Sequence, residues 1–274
     1  MVADVGTAGT DSTTRDGRAS STGGRSLSWR STGPTDAPVL LLLHGDTGSA
    51  RTAPVVDSVR VLSYDRPGFG TSTPHPDRDL LSDVVDVQVL LEQLDVARVR
   101  LLAFSGGAAV AFAVAARLGP EVVPHVGIVS GATWPTVPPP PVEALQGAAE
   151  ALRADPAAAV DRLGVEAPRL DREVLADPSL RAELLDGVVD VLAGGTEGWV
   201  RDALLVRSPW PVAPAQVDVP VTWWHGEHDV AVPLAAAEAA VSALPHGVLH
   251  RLPEAGHIGW MHDRDAIVQA LMGA

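Results

Sequence analysis

The sequence predicts an α/β protein, a mostly parallel central sheet flanked by helices, with an inserted helical cap. Three observations lead there. Val39-Leu40-Leu41-Leu42-Leu43 is an unbroken apolar run, which suits a central parallel strand buried on both faces. Val99 to Phe104 is a second short apolar run, and it passes through Ser105-Gly106-Gly107 into a long stretch of small apolar residues that reads as a buried helix. From about Val142 to Arg207 no strand pattern occurs; short helical segments are separated by Asp155-Pro156, Ala167-Pro168, Asp177-Pro178 and Gly194-Gly195. The expected organisation is an α/β core of residues 25–133 and 211–274 and a cap of residues 134–210. Residues 1–24, dominated by Gly, Ser, Thr and Ala, read as a flexible tail.

In chain order, Ser26 to Ser31 alternates enough for an early edge strand, turned by Gly33-Pro34 into the strand that ends at His44-Gly45-Asp46. Arg60 to Tyr64 is the next strand. The turn Asp65-Arg66-Pro67-Gly68-Phe69-Gly70 reads as structural, with a proline fixing one dihedral and glycines permitting positive φ. A helix from about Leu80 to Leu94 offers Leu80, Leu81, Val84, Val85, Leu91 and Leu94 to a core and turns Asp83, Asp86 and Glu92 to solvent. Val126 to Ser130 is a strand, and the proline run after Trp134 is a stiff hinge into the insertion. Strands at Val221 to Trp224 and Val248 to Leu252 and a helix from Asp263 to Met272 close the chain.

Composition removes whole classes of function. At 274 residues and 46% hydrophobic, the chain can fill one large core, and a net charge of −14 argues against a nucleic-acid partner. There is no lysine, hence no phosphate-cradling P-loop lysine and no Schiff base; there is no cysteine, hence no disulfide and no thiolate chemistry. No apolar run is long enough to span a membrane. The first residues carry neither a basic start nor an apolar segment, which sets cytoplasm as the expected compartment.

A serine at a strand-to-helix corner stands above the sheet end, beside the first N–H groups of the helix. Its hydroxyl needs a base, and the base needs a group to orient it. Asp229 and His257 lie in turns that follow the strands at Val221 and Val248, at the sheet edge where open parallel sheets build sites. Ser130-Gly131 is a rival nucleophile on paper, but the proline run after it cannot continue as a helix. His225, Glu227, His228 and Asp229 cluster without the spacing of a zinc helix, so neither a metal nor another cofactor is expected.

Four segments together resemble the α/β-hydrolase superfamily: His44-Gly45-Asp46, Asp65 to Ser72, the Ser105 corner, and the Asp229 and His257 turns in the order Ser, Asp, His. The resemblance covers nearly the whole chain after about residue 25 and favours Asp229 over Glu227 through the Val232-Pro233 pair that follows. It implies Ser105 as nucleophile, His257 as general base and acid, and Asp229 as the residue that orients His257. It also implies an oxyanion hole from the backbone N–H groups of Asp46 and Gly106, and a cap over the site. Asp46 is unusual there, because a carboxylate beside a developing negative charge hinders unless it turns away. Ala103 stands where such corners usually carry their first glycine. Phe104, Trp134, Trp199 and Trp210 are the candidate substrate-pocket residues. The function implied is hydrolysis of an ester-type bond, or a thioester or amide, of a small apolar substrate through an acyl-enzyme. A cofactor-free haloperoxidase or perhydrolase, an acyltransferase, a lyase and a non-catalytic ligand-binding protein share the same scaffold.

Overall fold

The computed structural model describes residues 14–273. Eight strands form one sheet: β1 (Arg15–Ser20), β2 (Ser26–Thr32), β3 (Val39–Leu43), β4 (Arg60–Tyr64), β5 (Arg100–Phe104), β6 (Val126–Val129), β7 (Val221–Gly226) and β8 (Gly247–Leu252). Their spatial order is β1-β2-β4-β3-β5-β6-β7-β8. The first two pairings, β1 with β2 and β2 with β4, are antiparallel, and the other five are parallel. The helices are α1 (Leu80–Gln93), α2 (Gly107–Val122), α3 (Val142–Ala154), α4 (Pro156–Arg162), α5 (Arg169–Ala176), α6 (Pro178–Val191), α7 (Glu197–Val206), α8 (Leu234–Ala243) and α9 (Arg264–Gly273). This is the α/β class that the alternation of apolar runs and helical segments predicts.

Strand periodicity divides the core in two. Successive side chains of a strand point to opposite faces, so Leu41 and Leu43 of β3, Leu101 and Ala103 of β5 and Trp223 of β7 join the cluster formed with α1, α2 and α8. Leu40, Leu42, Leu102 and Trp224 join the cluster on the other face, which includes Ile267, Val268 and Leu271 of α9. Each fully buried leucine contributes about 1.5–3 kcal/mol relative to exposure, and β3 carries four of them in one strand. That explains why the central strands need no alternation in their sequence.

Two sequence expectations are corrected. Of the tail, residues 1–13 lie outside the described residues, but Arg15–Ser20 is a strand in register with Ser26–Ser31. It covers β2, which is therefore not an edge. Asp16 pairs with Arg30, Arg18 donates to Ser26 and Thr71, and Ala19 is buried in the core. Asp83 and Asp86 do not face solvent: both are fully buried, Asp83 against Arg78 at 2.7 Å and Asp86 against Arg25 at 2.7 Å. Their charge alone suggests solvent, but helical spacing sets Asp83 on the face of Leu80, Val84, Val87 and Leu90 with Asp86 at its border, and arginines outside the helix supply the partners that let both be buried.

Five helices, α3 to α7, lie between β6 and β7. Asp155 and Asp177 cap α4 and α6 through their side chains, each followed by a proline in the first helical turn, where its missing N–H costs nothing. Leu145, Ala149, Val191, Leu192, Trp199, Val200 and Ala203 form the core of this insertion together with Phe69 from the turn after β4.

Candidate active site

Ser105 stands between the end of β5 and the start of α2, and its φ of 50° is in the left-handed region, unusual for a residue with a side chain. The corner is over-determined by its backbone. Ser105 N–H donates to Val129 O at 3.2 Å, and Ser105 O accepts from Ala108 and Ala132 at 3.1 and 2.9 Å. Such anchoring is what allows a strained residue to persist. Gly107 is required here, because a Cβ on it would lie 2.2 Å from Leu43 O of β3. Ala103, two positions before Ser105 in β5, is accommodated with its methyl group fully buried.

Asp229 follows the end of β7. Its Oδ1 accepts from the N–H groups of Ala231 and Val232, both at 2.9 Å, which fixes the carboxylate and leaves Oδ2 to face His257. His257 Nδ1 lies 2.8 Å from Asp229 Oδ2, and His257 Nε2 lies 3.0 Å from Ser105 Oγ. Because a carboxylate only accepts, Nδ1 carries the proton and the neutral ring presents its Nε2 lone pair to the serine hydroxyl. Three side chains from distant parts of the chain thus form one continuous hydrogen-bonded relay. The Asp229 side chain is fully buried, while that of His257 is 18% exposed and Ser105 is partly exposed as well, so the relay opens to solvent at its serine–histidine end.

His225, at the end of β7, is a supporting residue that sequence reasoning placed only within a rejected metal cluster. It is buried; Trp223 Nε1 donates to its Nδ1 at 3.1 Å, so its Nε2 bears the proton and donates to Val232 O at 2.8 Å. It therefore braces the turn that holds Asp229, whose Oδ2 lies 3.5 Å from the same nitrogen. Burial lowers its pKa below the ordinary histidine value, keeping it neutral in this role.

Ser105, His257, Asp46, Gly106 and Trp134 line one cleft of about 430 Å³, walled further by Pro135, Val137, Pro138, Val206 and Val232. Among the described residues, the backbone N–H groups of Asp46 and Gly106 donate to no protein acceptor. The Asp46 carboxylate does not turn away: its Oδ2 pairs with Arg207 at 2.9 Å, while its Oδ1 is buried against Gly106 without a hydrogen-bond partner. Arg207 has no sequence signature of its own, since its role depends on what α7 lies against.

The four aromatic candidates divide. Trp134 is at the cleft. Trp210 does not line it; its ring packs on Trp134 and Phe112 behind the wall, with centroids 5.0 and 6.2 Å apart. Trp199 is buried in the insertion's own core and is withdrawn as a pocket residue. Phe104 packs against His257 and Trp260, each at 5.2 Å, and faces a separate apolar cavity of about 50 Å³ with Leu42, Leu102 and Met261. It shapes the site by supporting the His257 ring. Aromatic identity alone signals burial and does not tell which of these cores receives the ring.

Among the described residues no group of three or more His, Asp or Glu side chains could hold a metal ion, and no helix is long and apolar enough to cross a membrane. The profile of the alpha/beta hydrolase family matches residues 24–270, and the chain belongs to that family. Solved structures share its fold at low identity. An esterase from Rhodococcus sp. ECU1013 is 20% identical with a TM-score of 0.73, covering 94% of this chain and 98% of its own. An enol-lactonase from Burkholderia xenovorans LB400 is 22% identical with a TM-score of 0.72 over the same shares. A putative aryl esterase from Burkholderia cenocepacia is 18% identical with a TM-score of 0.69, covering 95% of this chain and all of the other. No curated protein matches the sequence significantly.

Proposed function

We propose that the protein is a serine hydrolase that cleaves a carboxylic ester of a small, largely apolar substrate through an acyl-enzyme. The observation that carries this is the relay from Asp229 Oδ2 through His257 to Ser105 Oγ, with links of 2.8 and 3.0 Å. Ser105 Oγ attacks the ester carbonyl as His257 Nε2 takes its proton. The tetrahedral oxyanion is received by the N–H groups of Asp46 and Gly106. His257 returns the proton to the departing alcohol, leaving Ser105 acylated; water, deprotonated by the same ring, releases the acid and restores the hydroxyl. Asp229 holds the ring and stabilises the positive charge it gains. The apolar lining of the cleft, from Trp134 through the prolines to Val206, supports an uncharged substrate. Residues 134–210 act as the cap, with Val206 and Arg207 at its contact with the cleft.

A panel of nitrophenyl esters, thioesters and anilides of graded acyl length, with Ser105→Ala as the blank, tests this. Wild-type turnover of esters, lost by about 10³-fold or more in Ser105→Ala, is the expected result. Labelling of wild type but not Ser105→Ala by a fluorophosphonate probe identifies the nucleophile. His257→Ala and Asp229→Ala should each lose most activity without the losses multiplying, since the three act as a unit. Ester turnover unchanged in Ser105→Ala rejects the mechanism, and acyl transfer to peroxide or alcohol in preference to water moves the enzyme to another reaction class.

A further inference from the structure

The turn after β4 and helix α7 meet in a buried ion network. Arg66 is 1% exposed and Asp202 of α7 is 2% exposed, and the two are bidentate: Arg66 Nε and Nη2 each lie 2.8 Å from an Asp202 oxygen. Arg78 Nη2 also reaches Asp202, at 2.7 Å. Burial alone would raise the Asp202 pKa, but the two guanidiniums outweigh it and hold the carboxyl below the ordinary carboxylate value, so it stays charged.

The far edge of Arg66 grips the strand end that carries the Asp46 amide. Nη1 donates to His44 O at 2.6 Å and Nη2 to Gly45 O at 3.2 Å. Gly45 O also accepts from His44 Nδ1 at 2.9 Å. The buried His44 ring is neutral, because burial and the Arg66 charge push its pKa down to about 3. The carbonyl of Gly45 and the N–H of Asp46 belong to one planar trans peptide and point in opposite directions. Two donors holding the carbonyl on the protein side therefore fix the direction of that N–H. They also polarise the amide, which strengthens it as a donor. On the cleft side, Arg207, at the C-terminal end of α7, holds the Asp46 carboxylate. One helix of the insertion thus restrains residue 46 at both its peptide and its side chain.

We propose that Arg66 and Asp202 are positioning residues that tie α7 to the Gly45–Asp46 peptide and keep its N–H aimed at the oxyanion, so that assembly of the oxyanion hole depends on the seating of the insertion. This deepens the serine-hydrolase mechanism and rests on it. The test compares wild type, Asp202→Asn and the double variant Arg66→Met/Asp202→Asn. The double variant replaces the ion pair by groups that can remain buried, which buried pairs often tolerate; Arg153→Ala, an exposed insertion residue, is the control. For each folded protein, kcat and KM for the best ester are measured beside the inhibition constant of a matching trifluoromethyl ketone, which forms a tetrahedral oxyanion on Ser105.

In Asp202→Asn, kcat should fall roughly 10-fold, and in the double variant roughly 100-fold, approaching the loss of one oxyanion donor. KM should stay within twofold, and the ketone should weaken by the same factor as kcat/KM. Ketone affinity that stays at the wild-type value in either folded variant overturns the proposal, whether or not kcat falls, because a loss without it arises elsewhere. A wild type that neither turns over esters nor takes the fluorophosphonate removes the serine-hydrolase mechanism and this proposal together. An active wild type with unaffected variants removes this proposal alone.

Discussion

At Gly106 the absence of a side chain is a steric requirement set by a residue far away in sequence. A Cβ there would lie 2.0 Å from Asp46 Oδ1, while the backbone φ of −57° is ordinary for alanine. Gly106→Ala should therefore keep the start of α2 but push the Asp46 carboxylate aside, loosening its pair with Arg207 and shifting the amide of residue 46. Ester kcat should fall about 10-fold, with the melting temperature close to wild type. Removing the crowded group by Asp46→Ala in the same background should recover most of the loss. A double variant as slow as Gly106→Ala would show that the crowding is not the cause. The sequence exposes Ser105, Asp229 and His257 because each follows a recognisable strand and turn. It does not expose the roles of Arg207, His225 or Arg66, because each is defined by a partner that only the folded chain brings near.

The same distinction governs whole elements. β3 and β5 are legible because both their faces are buried and their composition says so. β1 is not: in Arg15-Asp16-Gly17-Arg18-Ala19-Ser20 only Ala19 is buried, and no alternation of apolar residues marks a strand. What makes it one is its neighbours, through the ladder to β2, the Asp16–Arg30 pair and the bonds from Arg18 to Ser26 and Thr71. Gly17 permits the register, since a Cβ there would lie 2.3 Å from the Trp29 ring. Deleting the chain through Ser20 should therefore uncover the β2 edge, and unpaired strand edges associate. The shortened protein should melt several degrees lower and form concentration-dependent oligomers, read by calorimetry and light scattering. A deletion variant that stays monomeric and melts with the intact protein would mean that β1 adds no stability to the sheet.

At the scale of the whole molecule, the buried charged network makes stability depend on pH in a direction that follows from its members. His44 is neutral in the fold, with burial as the largest cause and a pKa of about 3, against about 6.5 in the unfolded chain. Between those values the unfolded state binds the extra proton, so stability is full above about pH 6.5 and is lost progressively as pH falls toward 3. The buried His225 is lowered by the same cause and acts with the same sign. Asp202, held below the ordinary carboxylate value, adds a further loss once pH drops beneath the carboxylate range. Asp83 opposes these: burial raises its pKa, so the folded state takes up its proton first and recovers part of the loss. Between pH 7 and pH 4 two histidines act against one carboxylate, Asp202 losing its contribution only below that range, so the melting temperature should fall steadily from pH 7 to pH 4, by about 10 °C or more. His44→Gln, which keeps a side-chain donor for Gly45 O but cannot take up a proton, should flatten the upper part of that slope. A melting temperature level between pH 7 and pH 4, or a slope unchanged in His44→Gln, would show that the buried ring is not the group that titrates.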